Sequence, residues 1–148
     1  MAVVPCGYSF EGIVSSGNHI GRGMGIPTIN IPVTDQLDEE LHFGVYVATV
    51  ELLDDEHNII ANVKGIANIG IKPTIEAYDT NGNAIDNPVG IEVNLFDFNE
   101  NVYNTYVRVR FHGFVRAEVK FEDINRLREQ IQRDILEVQE YFEHNRLG

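Results

Sequence analysis

The feature that most constrains this chain is a change in hydrophobic period along its length. Up to about residue 112 apolar and polar residues alternate, as in a strand with one buried face. From residue 124 onward apolar residues recur at steps of three and four, as on one side of a helix. Val89, Ile91, Val93 and Leu95 alternate with Gly90, Glu92 and Asn94. Val107, Val109 and Phe111 alternate in the same way with Tyr106, Arg108, Arg110 and His112. Residues 44–53 are rich in β-branched and aromatic side chains, and Asp54-Asp55-Glu56-His57-Asn58 breaks the run. Residues 59–69 then read as its hairpin partner, and residues 10–14 as a further short strand. Five or more strands at this spacing predict a closed antiparallel barrel or a sandwich.

At the end of the chain Ile124, Leu127, Ile131, Ile135, Val138 and Phe142 form one apolar stripe on a helix. Glu122 or Asp123 stands near its start, where a carboxylate suits the helix dipole. This helix is expected to pack on the barrel. Two segments resist regular structure. Residues 15–34 carry Gly17, Gly21, Gly23, Gly25, Pro27 and Pro32, too many breakers for an ordinary strand. Residues 78–88 contain the turn-forming pairs Asn81-Gly82 and Asn87-Pro88. Both are expected to be mobile loops, where sites on a rigid scaffold often sit.

The length of 148 residues predicts a single domain, residues 1–148, with the barrel over about 9–121 and the helix over about 122–146. With 43% hydrophobic residues the chain can bury a sizeable core, which argues against disorder. No stretch approaches the ~20 consecutive apolar residues of a membrane span. Met1-Ala2-Val3-Val4-Pro5 lacks the pattern of a secretion signal. Cys6 is the only cysteine, so neither an intrachain disulfide nor a cysteine zinc site is expected, and a cytoplasmic setting follows. The formal charge is −12, and residues 35–57 hold eight carboxylates without a Lys or Arg. That balance argues against generic nucleic-acid binding, which needs a basic face.

Several groups could carry chemistry. Gly21-Arg22-Gly23-Met24-Gly25-Ile26-Pro27-Thr28-Ile29-Asn30 is either a backbone cradle for phosphate or a tight turn entering a strand. It is neither a Walker A loop nor a dinucleotide fingerprint. Thr28 and Asn30, two apart, share a face of any extended segment. Their oxygens suit Mg²⁺, or they cap a turn. Glu92 is either a solvated outer-face residue or a general base for a substrate hydroxyl. Arg116, Glu118, Lys120 and Phe121 are either a surface ion-pair cluster or part of a site. His19, His42, His57, His112 and His144 show no metal-ligand spacing.

Taken together, these motifs resemble the riboflavin kinase (flavokinase) family. The glycine loop and Pro27-Thr28-Ile29-Asn30 match its Gly-Arg-x-x-Gly-hydrophobic-Pro-Thr-x-Asn pattern. Gly44-Val45-Tyr46, Asn68-Ile69-Gly70-Ile71-Lys72-Pro73-Thr74, the acidic strand around Glu92 and Val115-Arg116-Ala117-Glu118-Val119-Lys120-Phe121 follow in order. The resemblance implies a six-stranded antiparallel Greek-key barrel with a C-terminal helix. It also implies transfer of the ATP γ-phosphoryl group to the riboflavin 5′-hydroxyl, giving FMN and ADP.

By the same resemblance Thr28 and Asn30 hold Mg²⁺, with Mn²⁺ or Zn²⁺ as alternatives, and Glu92 is the catalytic base. Gly17, Gly21, Arg22, Gly23, Met24, Gly25, Pro27, Thr28, Leu95, Asp97 and Tyr103 contact the nucleotide. Arg116 and Phe121 border the flavin, together with the start of the helix. Asn104 follows Tyr103 where the family often has glycine, and asparagine tolerates the left-handed backbone such a turn needs. The implied partners are riboflavin or FMN and ATP or ADP, with no nucleic acid and no membrane, and the chain is expected to be a monomer. The alternatives are a non-catalytic flavin carrier or sensor and a kinase module excised from a bifunctional FAD-forming enzyme; a stand-alone kinase is favoured. A barrel for single-stranded nucleic acid is disfavoured by the acidic balance and the absence of Trp.

Overall fold

The computed structural model describes residues 3–20, 27–33, 37–71, 81–83, 88–98, 100, 102 and 104–145, with the backbone alone over 16–20. Seven strands and one helix follow in chain order: β1 (Val4–Ile13), β2 (Ser16–Ile20), β3 (Pro27–Pro32), β4 (Gly44–Leu53), β5 (Ile59–Ile71), β6 (Val89–Leu95), β7 (Tyr106–Ala117) and α1 (Ile124–His144). The strands form one antiparallel sheet in the order β1-β7-β4-β5-β6-β3-β2. Consecutive β4, β5 and β6 are neighbours and β7 returns to lie beside β4, the 7-4-5-6 arrangement of a Greek key. The expected antiparallel architecture with a C-terminal helix is thus what forms, with the short β2 added to six longer strands. Among the described residues no ladder joins β1 to β2, but the sheet curls enough for Ser15 N–H, just past β1, to donate to Asn30 O of β3 at 2.8 Å.

Alternation decides which side chains face inward. Ile29 and Ile31 of β3, Ile91, Val93 and Leu95 of β6, Ala67 and Ile69 of β5, and Val107, Val109 and Phe111 of β7 fill the main core. Tyr46 of β4 meets Phe111 and Phe114 edge-on at 5.2 and 5.1 Å between ring centres. The opposite face of β4, β5 and β7 presents Val45, Val47, Ile66 and Val115, and α1 covers these with Ile135 and Val138. β4 is therefore buried on both sides, which explains its nearly unbroken apolar run. Asp123 caps α1 by accepting from Arg126 N–H at 2.8 Å. Of the apolar stripe on α1, Ile135 and Val138 are buried, whereas Ile124 is exposed at the first turn. Among the described residues no helix is long and apolar enough to cross a membrane.

The expectation of a mobile loop over residues 15–34 is corrected: β2 and β3 both fall inside it. Pro27 and Pro32 stand at the two ends of β3, where a missing N–H is tolerated. Between them Thr28-Ile29-Asn30-Ile31 alternates polar and apolar, with both isoleucines fully buried. In the expected loop over 78–88, the described Asn81-Gly82-Asn83 is a turn or bend with Gly82 at φ 81°. Asn104 takes φ 65°, as its position predicts, and its N–H donates to Val14 O at 2.9 Å.

Candidate active site

The site begins in the register of three neighbouring strands. Thr28 of β3 lies opposite Asn94 of β6, and Asn30 lies opposite Glu92. On the other side of β6, Asn68 of β5 lies opposite Glu92. Because Ile29, Ile91, Val93 and Ala67 are driven into the core, their neighbours Thr28, Asn30, Glu92, Asn94 and Asn68 gather on the other face. Thr28 is buried, and its hydroxyl donates to Asn94 Oδ1 at 2.6 Å. The hydroxyl proton is thereby committed, so what Thr28 offers any further partner is oxygen.

A cavity of about 200 Å³ opens beside this patch, between the sheet and α1. Asn68, Glu92 and Asn94 line it from the sheet, Arg116, Glu118 and Phe121 from β7 and the segment after it, and Leu127, Ile131 and Asp134 from α1. An extra residue on β7, Val115, shifts the register just before Arg116; such bulges re-aim side chains near sites. The Arg116 guanidinium is held by Asp134, with Nε 3.0 Å from both carboxylate oxygens and Nη2 2.8 Å from Oδ2. It also lies 5.7 Å from the centre of the Phe121 ring.

Two glycines set the walls. A Cβ on Gly44 would lie 2.2 Å from Arg116 O, so the backbone carrying Arg116 packs directly on that glycine. A Cβ on Gly70 would lie 2.1 Å from Glu118 Oε1, so this glycine leaves room for the carboxylate at the cavity rim.

The structure thus brings Thr28, Asn30 and Glu92 onto one face and places Arg116 and Phe121 around the adjoining cavity with Glu92. Pro27 opens β3, and Gly17 belongs to β2. The Leu95 side chain is wholly buried in the core, so any ligand there meets its backbone. Asp97, in a turn at φ 55°, borders a separate groove with Phe96, Phe98 and Phe142 rather than the cavity. Gly21, Arg22, Gly23, Met24, Gly25 and Tyr103 lie outside the described residues. Sequence reasoning missed Asn94 and Asp134. Asn94 was signalled by its place two residues after Glu92, whereas nothing local marked Asp134 on a helix of many charges.

An oxygen-lined polar patch opening into a partly apolar cleft, on a scaffold of paired strands, has the character of a small-molecule-binding domain. A family model described as Flavokinase: Riboflavin kinase matches residues 5–142, and the chain belongs to that family. The chain is 36% identical over 139 residues to the bifunctional riboflavin kinase/FMN adenylyltransferase of Bacillus subtilis, covering 94% of this chain and 40% of that protein. It is 36% identical over 135 residues to the protein of the same name from Haemophilus influenzae, covering 91% of this chain and 39% of that one. The Escherichia coli K12 protein of that name is 30% identical, with 91% of this chain and 38% of the relative covered. The chain therefore spans about two-fifths of the length of these curated relatives. A crystal structure described as a macrolide-efflux protein from Streptococcus pneumoniae superposes with a TM-score of 0.61 at 28% identity, covering 87% of this chain and 37% of that one.

Proposed function

We propose that this chain transfers the γ-phosphoryl group of ATP to the 5′-hydroxyl of riboflavin, giving FMN and ADP. The observation that carries the reading is the position of Glu92: a carboxylate on a strand paired on both sides, flanked by Asn30 and Asn68, at the edge of the cavity that holds Arg116 and Phe121. Family membership supports the reaction class.

Glu92 accepts the proton of the riboflavin 5′-hydroxyl as that oxygen bonds to the γ-phosphorus. The bond from the γ-phosphorus to the bridging oxygen of ADP breaks, and ADP leaves. General-base help of this kind contributes typically ~10²–10⁴-fold, and the rest of phosphoryl transfer is mostly positioning and electrostatics. Phe121 and the apolar side chains of Leu127 and Ile131 line the cavity and exclude water, which would otherwise compete as acceptor. Asn94 keeps the Thr28 hydroxyl pointing in one direction.

The donors on the polar face are a hydroxyl, amides and one carboxylate, and among the described residues no group of three His, Cys, Asp or Glu gathers to hold a metal. That set fits a hard divalent cation such as Mg²⁺, which retains waters and takes phosphate oxygens. Thr28 and Asn30 would hold it, and when bound it would neutralise charge on the transferring phosphoryl group.

The test is chromatography of the purified protein after incubation with riboflavin, ATP and Mg²⁺, with a metal-free control. Metal-dependent FMN and ADP in equal amounts is the expected result. Riboflavin bound but unchanged would replace the kinase with a flavin carrier. Neither binding nor turnover would leave the fold assignment standing without this function.

A further inference from the structure

Asp134 is nearly inaccessible, at 2% exposure, and lines the cavity. Its carboxylate accepts from Arg116 Nε and Nη2, and Gln130, one turn earlier on α1, donates from Nε2 to Oδ1 at 3.0 Å. The carboxylate is thus held from two sides, and it holds the arginine in turn. Arg116 Nη1 donates to Ala117 O at 3.2 Å, and the Phe121 ring lies across from the guanidinium.

We propose that Asp134 is a positioning residue for recognition of the phosphoryl acceptor: it locks Arg116 so that the remaining guanidinium donors meet an uncharged, oxygen-bearing substrate in the cavity. The inference rests on the riboflavin kinase reading above. A guanidinium has five N–H groups. Nε, one N–H of Nη2 and one N–H of Nη1 have partners, which among the described residues leaves two with none. These two sit in the guanidinium plane, whose orientation the carboxylate on one edge and the ring nearby determine.

Charge selects the kind of ligand. Asp134 neutralises Arg116, and Glu92 and Glu118 also line the cavity. Three carboxylates against one guanidinium disfavour an anion there, so Arg116 acts through directed hydrogen bonds to a neutral acceptor rather than as a phosphate clamp. Ile135 and Val138 already pack α1 on the sheet, and a buried ion pair is often no better than an apolar substitute.

The test is Asp134→Asn, which keeps the shape and removes the charge. Steady-state kinetics and riboflavin fluorescence titration are expected to show KM and Kd for riboflavin raised about tenfold or more, with KM for ATP unchanged and kcat within about threefold. In an Arg116→Ala background Asp134→Asn is expected to add nothing to the riboflavin KM. Should Asp134→Asn fail to fold, Gln130→Ala removes only the bond that steadies the carboxylate and should give a smaller rise in the same direction. Unchanged riboflavin affinity in a folded Asp134→Asn or Gln130→Ala variant overturns the inference, as does an equal effect with and without Arg116. A wild-type protein inert toward riboflavin overturns the kinase reading itself, and that result precedes any variant.

Discussion

Glu92 on β6 stands directly opposite Asn30 on β3, so the two side chains share the face of the sheet that looks away from the core. Residues opposed in this way have Cβ atoms roughly 4.5–5.5 Å apart, and strands paired on both sides hold that spacing. Replacing Glu92 by Gln keeps size and polarity and removes the base. Turnover is expected to fall by ~10²–10⁴-fold with riboflavin binding retained. Single-turnover kinetics beside fluorescence titration separate the two, and unchanged turnover would falsify the general-base role.

Thr28→Val keeps the shape of the side chain and deletes its hydroxyl, leaving Asn94 Oδ1 without the donor it has at 2.6 Å. An acceptor left unpaired this way costs roughly 1–3 kcal/mol, visible as a lower denaturation midpoint. If Thr28 also holds the cation, the Mg²⁺ concentration for half-maximal activity rises in the variant. Chelation should abolish wild-type turnover and added Mg²⁺ restore it. A variant with a lower midpoint but an unaltered Mg²⁺ requirement would limit Thr28 to a structural role.

Two glycines at the cavity should respond differently to alanine. At Gly44 the new Cβ would strike backbone, 2.2 Å from Arg116 O, at a φ of 154° that side chains rarely adopt. The expected loss is ~2–4 kcal/mol from overpacking and backbone strain together. At Gly70 the Cβ would meet only the end of the Glu118 side chain, which can swing aside. Gly70→Ala should therefore barely shift stability while displacing a carboxylate from the cavity rim. Urea denaturation of both variants checks the contrast, and equal losses would contradict it.

His112 Nε2 lies 2.7 Å from Thr49 Oγ1 on the outer face of β7. Burial holds the imidazole below its ordinary range, aided by nearby Arg110 and opposed by Glu51. The unfolded chain therefore takes up this proton first, near pH ~6.5. The contribution to stability is full above that pH, falls as the pH drops through it, and levels off below the folded-state value. Across pH ~5–8 the melting temperature of wild type should fall relative to that of His112→Gln toward the acid end, and parallel curves would rule the residue out.

Much of the fold was legible because its signals are local. The breaks around residues 44–53, the alternation over 89–95 and 106–111 and the helical stripe from 124 all reflect periods set within one segment. Asn104 at φ 65° is likewise a one-residue preference. β3 was misread because composition weighs Pro27 and Pro32 equally with interior breakers, whereas both stand at strand ends.

By itself the sequence determined the strands outside residues 15–34, where the helix lies, and that Thr28 with Asn30, and Glu92 with Asn94, point the same way in any extended segment. Only the tertiary structure decided that the first pair faces the second, that Asn94 receives the Thr28 hydroxyl, and that Asp134, 18 residues from Arg116, closes on its guanidinium. The reason is physical. Side-chain alternation belongs to a single strand, whereas opposition across strands depends on a register that the packing of the whole core selects.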